Sequence, residues 1–440
     1  MTNRSVRSSA NGKCPKVAVY DPSGSGGITH YTFELAEGLA KNGCRVTVIT
    51  SADYELADLR RSFDLWFLFK KSWLKSGVSR ISSLWTRRGA ARPRSPVPGV
   101  LRAGDRGWTS WLIRELNSLR FTCVLFRAVL FLALNGTSVV HFQWLKDRRA
   151  DLRFMKMLRL LGFKIVYTVH DVLPHDEYTR ENRRFYQEVY QYPHKLIVHC
   201  ENNRREMLDL FRLDPAKICV IPHGCPTASF DVDATSPTAA RRRLGIPDGA
   251  QVVLFFGLIK RYKGLEYLLE AFEMIKRRCN KAVLLIAGRV APWDTDSHRH
   301  YSALLQKYAN CEHVRVRNEY IPHDQAGDYF SAADLIVLPY VTASQSGVLL
   351  SAYAAGKAVV VTDTGGLSEI VQHGRTGFVV PPKDAKAIAE ASITILNDPD
   401  HGRRFGAQAR MLAETSYSWS AIGATTANLY LSLVLANAPQ

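Results

Sequence analysis

Short apolar runs alternate with stretches of helical periodicity along most of the chain. KVAVY (residues 16–20) and RVTVIT (residues 45–50) both have the buried, β-branched character of strands, and the residues between them show apolar positions at helical spacing. A strand, a helix and a second strand in this order form a βαβ unit, whose two strands pair in parallel. The N-terminal pattern therefore predicts the beginning of a parallel α/β sheet.

The alternation continues, with one interruption, almost to the end of the chain. Four more strands are predicted in the first half, at residues 138–144, 164–170, 195–200 and 217–224. The run CPTASFDVDATSPTA (residues 225–239) is rich in Pro, Ser, Thr and Asp and indicates a linker. Behind it, helices separate five further strands and a last helix follows at 420–435; the strands are predicted at residues 252–256, 283–287, 313–317, 335–339 and 358–362.

These two series predict two Rossmann-like α/β domains, each a doubly wound parallel sheet covered by helices. We place the first domain at 14–225 with an insertion at about 55–115, the second at 240–415, and a C-terminal helical segment at 416–440. Ligands of such folds bind beyond the carboxyl ends of the strands, and we expect the two domains to face each other across a cleft. Candidate functional residues are therefore those that directly follow a strand.

The composition is that of a soluble globular protein, but its charge is strongly positive. Of the 440 residues 46 % are apolar and 22 % charged, and the formal net charge is +18. This charge predicts an anionic partner: a nucleic acid, a membrane surface or a phosphorylated substrate. The eight cysteines show no CxxC or zinc-ligand spacing, and we find no signal peptide. We therefore expect reduced, structural thiols in a cytoplasmic protein.

Much of the positive charge lies in one aromatic-rich segment, residues 65–114. It holds eleven Lys and Arg against one acid, together with five Trp. Such a mixture suits a lipid headgroup layer and predicts a peripheral position at the cytoplasmic membrane face; the alternative is a solvated insertion with partly buried aromatics. The apolar run at 121–134 is too short to span a bilayer, so we expect a core helix there. Because no nucleic-acid fold signature accompanies the charge, we expect no nucleic-acid partner.

The turn after the strand at 252–256 concentrates cations between two glycines. Lys260, Arg261 and Lys263 stand between Gly257 and Gly264, just before an apolar-periodic helix. A phosphate or diphosphate would relieve their mutual repulsion, and the position after a strand favours such an anion site. The alternative is a surface turn with solvated cations.

Two further glycine-containing loops strengthen the case for bound phosphate. A loop of small residues follows the strand at 335–339 and ends at Ser346, where Gly347 and Val348 open a helix. Helix N-termini present unpaired N–H groups and the positive end of the dipole to phosphate. The run TDTGG repeats this design with Gly365 and Gly366.

The first domain has its own candidates. DPSGSGGITHY (residues 21–31) resembles a dinucleotide loop, but the following strand does not end in the acid that such sites use. We therefore interpret Gly26 and Gly27 as points of close backbone approach to a substrate. His170 and Asp171 follow a core strand, and His141 lies near the end of another; a lone His is usually structural, whereas a His-Asp pair at a strand end favours a site.

Several motifs together resemble the family 4 retaining glycosyltransferases. They are GGITHYTFELAEGLAKNGCRVTVIT, YTVHDVLPHD, VIPHG, FFGLIKRYKGLEYLLEAF and SQSGVLLSAYAAGKAVVVTDTGGLSEIV, and they extend from about residue 16 to 378. The resemblance implies the GT-B fold, with a nucleotide-diphosphate sugar in the C-terminal domain, the acceptor in the N-terminal domain, and the last helix crossing back to the first domain.

The resemblance also implies roles for individual residues. Lys263 matches the family's phosphate-binding lysine, Lys260 stands where relatives carry a cation, and His170 matches a histidine that contacts the transferred sugar. Glycines match the loops around donor and acceptor: Gly26 and Gly27, then Gly347 with Val348. Two departures stand out: Leu258 replaces a common arginine, and Ala343 and Ser351 occupy positions where many members have glutamate. The nucleotide and the sugar therefore stay open.

The sequence thus predicts a retaining hexosyltransferase that moves sugar from a nucleotide donor to a glycan or lipid-linked acceptor in polysaccharide biosynthesis. We expect the catalytic residues to be His170, Lys263 and Lys260, the diphosphate to be held without a metal or another cofactor, and the acceptor to lie near Gly26, Gly27, His141 and Asp171. Further donor contacts are expected from Gly257, Arg261, Ser346, Gly347, Val348, Gly365 and Gly366. Two alternatives remain: a sugar-nucleotide epimerase of the same shape, and a non-catalytic nucleotide-sugar-binding homologue.

Overall fold

The computed structural model describes residues 14–68, 123–173, 179–226, 236–292, 294–308 and 311–436. Two predictions fall wholly or mostly outside these ranges: the basic tryptophan-rich insertion and the linker. They stay predictions.

Thirteen strands occur in the described parts of the chain. They are β1 (Lys16–Asp21), β2 (Arg45–Thr50), β3 (Asp64–Phe67), β4 (Val139–Phe142), β5 (Lys164–Thr168), β6 (Lys195–Val198), β7 (Ile218–Val220), β8 (Gln251–Phe256), β9 (Ala282–Ala287), β10 (Val314–Arg317), β11 (Leu335–Leu338), β12 (Ala358–Thr362) and β13 (Gly377–Val380).

Helices lie between most of these strands, and three of them close the chain. The α-helices are Gly27–Lys41, Arg148–Leu160, Arg180–Gln191, Glu201–Leu210, Pro237–Leu244, Leu265–Arg278, Thr295–Tyr308, His323–Ala332, Gly347–Ala354, Leu367–Ile370, Ala385–Asn397, Pro399–Glu414 and Trp419–Leu435, and residues 123–134 are also helical.

The strands form two parallel sheets, as the alternating pattern predicts. The seven-stranded sheet has the order β3-β2-β1-β4-β5-β6-β7, and the six-stranded sheet has the order β10-β9-β8-β11-β12-β13. In both, the strand order reverses beside the first strand of the series, which is where doubly wound sheets bind ligands. The sequence analysis missed β3 and β13, because both are four-residue edge strands with partly exposed side chains.

The central strands of the six-stranded sheet are buried on both faces. Along β8, Val252 and Leu254 pack into one apolar cluster, and Val253 and Phe255 pack into another. Side chains alternate across a strand, so helices on both sides of the sheet bury a continuous apolar run. This double burial is why β8, β11 and β12 stand out in the sequence, and it leaves their carboxyl ends as the places for polar chemistry.

The chain divides into two compact units. Of the described residues, one unit comprises those within Met1–Thr168, Arg184–Leu196 and Gly423–Gln440, and the other comprises those within Val169–Arg183 and Ile197–Ile422. The division falls within β6. The domain limits that we drew from the linker and the last helix stay predictions.

The apolar helix at residues 123–134 differs from its prediction. Leu125, Ala128 and Leu132 are buried, as expected of a core helix, but three other large side chains face outward. The exposed fractions are 64 % for Phe126, 56 % for Leu130 and 78 % for Leu134. The prediction of a core helix is therefore right for one face and wrong for the other. Within the described ranges, no helix is long and apolar enough to cross a bilayer.

The cysteine prediction also needs correction. Cys14 and Cys44 form a disulfide, with their Cα atoms 4.8 Å apart. Cys14 lies two residues before β1 and Cys44 lies directly before β2. Lys16 and Arg45, the first residues of these strands, are registered neighbours, so the pairing of the two strands brings the cysteines together. The other six cysteines, all among the described residues, form no disulfide. The expectation of reduced thiols is therefore wrong for one pair.

Candidate functional site

The cationic turn after β8 is fixed against the end of β11. The residues Arg261–Lys263 form one turn of 3-10 helix. Gly264 follows with a φ of 62°, and a Cβ atom there would lie 2.1 Å from the carbonyl oxygen of Pro339. The N–H of Val341 donates to the carbonyl oxygen of Tyr262 at 2.7 Å. Two contacts thus hold the turn in place, and one of them requires glycine.

Lys263 is the one buried cation of this turn. Its Nζ donates a hydrogen bond to the Tyr340 hydroxyl at 2.7 Å and lies 4.5 Å from the centre of the Tyr340 ring. Burial acts to lower the pKa of Lys263, but the contacts with Tyr340 and Tyr262 outweigh it, so the pKa lies above its ordinary value. The ammonium is therefore charged at neutral pH, and its bonded neighbour is a phenol that adds no compensating negative charge.

The other two cations of the turn are less enclosed. Lys260 is half-buried and Arg261 is exposed. The carboxylate of Asp294 lies close enough to interact electrostatically with both. Part of their charge is thus balanced within the protein, which makes Lys263 the stronger candidate for a phosphate ligand.

The loop after β11 ends in a capped helix beside Lys263. Ser346 is the N-cap of the helix Gly347–Ala354, and its Oγ accepts from the N–H of Leu349 at 3.4 Å. The same Oγ lies 3.3 Å from the Tyr340 hydroxyl, which in turn accepts from Lys263. The helix N-terminus and the buried ammonium therefore share one hydrogen-bonded group, the Tyr340 hydroxyl. The binding of phosphate at this place stays a prediction.

Two glycines of this region contrast in their surroundings. Gly257 has a φ of 100°, and a Cβ atom built on it would lie 3.4 Å from Val348 and 3.7 Å from the Nζ of Lys263. A Cβ atom on Gly347 would meet no atom of the described residues within 4 Å. Gly257 thus brings the end of β8 close to Val348 and Lys263, whereas the first residue of the helix borders open space.

The loop after β12 is held against the loop after β11. A Cβ atom on Gly365, whose φ is 51°, would overlap the carbonyl oxygen of Ala343 at 1.5 Å. The N–H of Gly366 donates to the carbonyl oxygen of Ser344 at 3.1 Å, and the thiol of Cys200 donates to the same oxygen at 3.5 Å. The glycines of TDTGG therefore serve loop packing.

Ala343 and Ser351 occupy the two positions at which many members of the family have glutamate. Ala343 supplies the carbonyl oxygen that Gly365 packs against, and the Ser351 hydroxyl donates to the carbonyl oxygen of Gly347 at 2.9 Å. Ser351 therefore bonds within its own helix and gives no negative charge to this region.

Glu369, which the sequence analysis did not select, is hydrogen-bonded to the first residues of a helix. Glu369 accepts hydrogen bonds from the N–H groups of Glu201 and Asn202, at 2.7 and 2.6 Å. These groups open the helix Glu201–Leu210, where a negative charge is stabilising. The sequence feature that could have identified Glu369 is an acidic residue three positions after Gly366.

His170 packs against a second buried histidine. The Nδ1 of His170 lies 3.4 Å from the Nε2 of His199, whose Nδ1 lies 3.1 Å from the carbonyl oxygen of Ile221. The ring of His223 follows, 5.5 Å from that of His199 between centroids. Burial lowers the pKa of His199 to about 3, with a smaller effect of His223, and burial lowers the pKa of His223 to about 4. Both rings are therefore neutral at physiological pH.

A hydrogen bond connects the chain neighbour of His199 to the loop that leads to Ser346. Cys200, the neighbour of His199, reaches Ser344, which lies two residues before the N-cap Ser346. Asp171, half-buried, directly follows His170. The sequence analysis did not select His199, His223 or Tyr340. The available signals were their positions at or just beyond the ends of apolar strands and, for His223, its place in the VIPHG motif.

The glycine loop of the other unit is closed by a carboxylate. The N–H of Gly26 donates to Oε1 of Glu55 at 2.6 Å, and the Nε2 of His30 lies 3.3 Å from the same oxygen. Asp21, at the end of β1, accepts from the Thr29 hydroxyl at 2.8 Å and so orders the loop. Among the described residues, no atom lies within 4 Å of a Cβ atom built on Gly26 or Gly27. The substrate approach of this loop stays a prediction.

His141 is fully buried in the same unit. Its Nε2 lies 2.7 Å from the Thr168 hydroxyl and its Nδ1 lies 2.6 Å from the Tyr430 hydroxyl. Both ring nitrogens are thus engaged inside the unit, a geometry that favours a structural role over contact with an acceptor. Its acceptor role stays a prediction.

No group of three or more His, Cys, Asp or Glu side chains that would suit a metal occurs among the residues that the structure describes. The expectation of metal-independent chemistry stays a prediction.

Comparison with solved structures defines the class of fold. Sucrose-phosphate synthase from Thermosynechococcus elongatus matches with a TM-score of 0.69 and 22 % identity, over 96 % of this chain and 100 % of that one. HepE from Anabaena, solved with UDP-glucose, matches with a TM-score of 0.68 and 17 % identity, over 95 % of this chain and 100 % of that one. The chain has the GT-B fold of these proteins.

Two family models identify the chain more closely. The model described as Glycosyltransferase Family 4 matches residues 25–229, and the model described as Glycosyl transferases group 1 matches residues 237–411. Together they span most of the sequence. The chain belongs to the glycosyltransferases of family 4 type that these models describe.

Curated relatives are similar at moderate identity. A D-inositol 3-phosphate glycosyltransferase of Kineococcus radiotolerans is 30 % identical over 257 residues, 56 % of this chain and 58 % of that protein. The protein of the same description from Pseudarthrobacter chlorophenolicus is 26 % identical over 423 residues, 93 % of this chain and 91 % of that protein. The match to the first of these relatives thus spans little more than half of its length.

Proposed function

We propose that this protein is a retaining glycosyltransferase that moves a hexose from a nucleotide-diphosphate sugar to a hydroxyl of a glycan or lipid-linked acceptor. The observation that carries the proposal is the contact series from Lys263 through Tyr340 to Ser346. It joins a buried, charged ammonium to the N-terminus of a helix at the carboxyl ends of β8 and β11. This is the chemistry that binds a diphosphate.

In the proposed reaction, the bond between the sugar's anomeric carbon and the diphosphate oxygen breaks. The departing diphosphate gains negative charge, which Lys263 and the N–H groups at the start of the helix Gly347–Ala354 stabilise. The acceptor hydroxyl attacks from the face that the leaving group vacates, and its proton passes to the departing phosphate oxygen. The anomeric configuration is thereby retained.

Other residues of the turn and loops have supporting roles. Lys260 and Arg261 add positive potential, although Asp294 offsets part of it. Gly257, Gly365 and Gly366 let the loops approach one another. His170 hydrogen-bonds the transferred sugar, and Asp171 lies beside it on the acceptor side. With these cations in place, the diphosphate needs no metal ion.

The comparisons support a uridine nucleotide as the first donor to try. HepE was solved with UDP-glucose, and the curated relatives are described as glycosyltransferases that act on an inositol phosphate. The acceptor that we propose is a lipid-linked or polysaccharide intermediate, which the enzyme meets at the cytoplasmic face of the membrane. The cationic, tryptophan-rich insertion supports this location by composition.

Replacement of the buried ammonium tests the site. We expect a donor from a panel of nucleotide sugars to raise the melting temperature of the wild type, because a ligand at about 100 times its Kd adds about 2.7 kcal/mol to stability. Lys263→Met should remove this shift and the release of nucleotide. Lys357→Met is the matched control, since Lys357 is a second partly buried lysine, bonded to the carbonyl oxygens of Ser331 and Ala333 at the other end of β12. Donor binding that survives in Lys263→Met would refute the site.

The same assay separates the alternatives. Ala343 and Ser351 leave the region without the acids that many relatives carry, which favours a non-catalytic homologue as the second candidate. A donor that binds without release of nucleotide, with every acceptor tried, would support that candidate. Conversion of the donor to another sugar nucleotide in the absence of acceptor would support an epimerase.

A further inference from the structure

Exposed apolar side chains gather at one place in the unit that contains β1 to β5. Among the described residues eleven large apolar side chains are exposed, and six of them belong to three short segments, residues 123–138, 159–164 and 430–436. We call these six the leucine-rich patch: Phe126, Leu130, Leu134, Leu160, Leu161 and Leu435. Single exposed leucines are ordinary, but a cluster of them marks an interaction surface.

An open groove joins the three segments. It has a volume of about 480 Å³, and its lining includes Ala133, Leu161 and Val434, one residue from each segment. Phe126 and Leu130 extend the patch along the helix that leads to Ala133, since residues four apart lie on one face of a helix. The six side chains therefore belong to one surface.

The patch is open to solvent at the ends of two further helices. The exposed fractions are 88 % for Leu160, 58 % for Leu161 and 61 % for Leu435. Leu160 and Leu435 are the last residues of their helices. Aliphatic surface that is exposed to this extent gains free energy when an apolar medium covers it.

The three segments that carry the patch contain cations and no acid. Their cations are Arg127, Arg159 and Lys164. Lys16 adds a fourth, because its Nζ donates to the carbonyl oxygen of Asn135 at 2.7 Å. Cations around apolar side chains complement a bilayer of anionic lipids, whose headgroups meet the charges while its acyl chains receive the leucines.

The same charges disfavour a second copy of the chain as the occupant of the patch. In a symmetric dimer one surface faces itself, so the cations of each copy would approach those of the other. An anionic lipid surface attracts these cations instead.

We propose that the leucine-rich patch docks this protein on an anionic lipid bilayer, with the leucines at the acyl-chain boundary and the four cations among the headgroups. The purpose of the docking rests on the proposed function, which places the acceptor at a membrane. The docking itself rests on the exposure and charge of described residues, and not on the composition of the tryptophan-rich insertion.

Sedimentation of the full chain with lipid vesicles, without nucleotide, tests the docking. We expect the wild type to bind vesicles of phosphatidylcholine and phosphatidylglycerol in equal parts, and Leu134→Ser/Leu160→Ser to bind them more weakly by about tenfold or more. Tyr320→Ser/Met411→Ser is the matched control, because it removes two exposed apolar side chains of the other unit. All four positions are exposed, so the melting temperatures should not change. A wild type that does not bind these vesicles, or equal binding of the wild type and Leu134→Ser/Leu160→Ser, overturns the proposal.

Substitution of one arginine tests the charge. Arg127→Gln should weaken binding to the anionic vesicles by about fivefold, since a cation among the headgroups contributes about that factor. Arg278→Gln changes an exposed arginine of the other unit and should have little effect. Equal losses in the two variants would mean that only the net charge of the protein matters, and the proposal would fail.

Two native cysteines report where the lipid lies. Cys123 and Cys311 are both exposed, and Cys123 lies three residues before Phe126 on the same helix. Cys219 is half-buried and is changed to Ser in both labelled proteins. In Cys311→Ser, bimane on Cys123 should shift its emission to shorter wavelength on anionic vesicles, and in Cys123→Ser, bimane on Cys311 should not shift. A shift at Cys311 alone, or at neither site, contradicts the docking even if the vesicles bind elsewhere on the chain.

Sedimentation velocity without vesicles separates docking from self-association. A wild-type dimer that Leu134→Ser/Leu160→Ser converts to a monomer would show that the patch joins two copies, and would overturn the proposal. Donor binding without vesicles tests the proposed function by itself. Vesicle binding by a protein that binds no nucleotide sugar would support the docking and refute the transferase.

Discussion

At the scale of single residues, the candidate site depends on a charged, buried lysine for which the described part of the chain shows no ion pair. A buried ammonium is costly unless its donors are satisfied, and here the phenol and ring of Tyr340 supply that satisfaction. A carboxylate in the place of Tyr340 would have neutralised Lys263. Because the Tyr340 phenol is uncharged, the positive charge of Lys263 remains available to bind an anion.

Removal of the phenol oxygen tests this role. In Tyr340→Phe, Lys263 loses its bonded oxygen, and Ser346 loses a neighbour at 3.3 Å. A hydrogen bond to a charged group contributes about 1.5–3 kcal/mol, so we expect donor affinity to fall by about tenfold or more, measured by calorimetry. Tyr353→Phe is the control, because the Tyr353 hydroxyl bonds to Thr376 rather than to Lys263. Equal affinity in Tyr340→Phe and the wild type would contradict the role.

The close packing of the turn after β8 predicts that a side chain at Gly264 destabilises the protein. Gly264→Ala places a Cβ atom 2.1 Å from the Pro339 carbonyl oxygen at a φ of 62°. We expect the free energy of unfolding to fall by about 3 kcal/mol in urea titrations. Gly249→Ala, at a φ of 73° with nothing within 4 Å, carries the cost of the backbone conformation alone, about 1 kcal/mol. A similar loss in both variants would show that the contact with Pro339 is unimportant.

The sequence analysis selected those candidate residues that stand in a recognisable local pattern. Lys263 lies in a run of cations, and Ser346 and Gly347 lie at a recognisable helix start. Tyr340 and His199 matter through contacts with residues 77 and 29 positions away, which no local pattern contains. Burial and partnership over such distances belong to the packing of the sheets.

At the scale of elements, apolar content predicts that a helix is present better than it predicts which face is covered. The helix at residues 123–134 is apolar on nearly all sides, so the sequence indicated a core helix, yet its outer face is exposed. Strands β8, β11 and β12 were predicted well, because helices cover both of their faces and every position is selected for apolarity.

The two faces of that helix should differ in their effect on stability. Leu132 is fully buried and Leu130 is more than half exposed, although both lie in the same apolar run. We expect Leu132→Ala to lower the free energy of unfolding by about 3 kcal/mol and Leu130→Ala by less than about 0.5 kcal/mol. Chemical denaturation monitored by circular dichroism measures both. A large loss in Leu130→Ala would mean that its side chain is covered in solution.

At the scale of the whole molecule, buried histidines link stability to pH. The pKa values of His199 and His223 are lowered by burial to about 3 and about 4, whereas an unfolded chain binds the proton near pH 6.5. Between these values the unfolded state holds more protons, so stability falls as the pH falls from about 6.5 toward 4. Asp151 opposes this trend, since burial raises its pKa to about 7.

A single substitution isolates the histidine contribution. At pH 4.5, protonation of one unfolded histidine, while the native ring stays mostly neutral, removes about 2 kcal/mol of stability. The loss of stability between pH 7 and 4.5 should therefore be smaller in His223→Phe than in the wild type by about that amount. The control is His298→Gln, which alters an exposed imidazole. Parallel pH curves for His223→Phe and the wild type would contradict the assignment.

The two-sheet architecture was predictable because the chain repeats one strand–helix motif. Features that depend on contacts outside this motif were not predicted. Two series of strand and helix gave two parallel sheets and, through the family motifs, the GT-B fold. The bond between Cys14 and Cys44 was missed, because it depends on the adjacency of β1 and β2 rather than on cysteine spacing.

The empty space beside Gly347 has a use in protein engineering. At Gly264 and Gly365 the surrounding backbone rejects any side chain, so a library that varies them would return only damaged folds. At Gly347 no atom of the described residues lies in the way of a Cβ atom, so a side chain there meets no steric barrier from them. Under the proposed function this space borders the donor, so we expect variants at this position to keep their melting temperature and to differ in which nucleotides they accept. It is therefore the first codon to randomise when donor preference is to be altered.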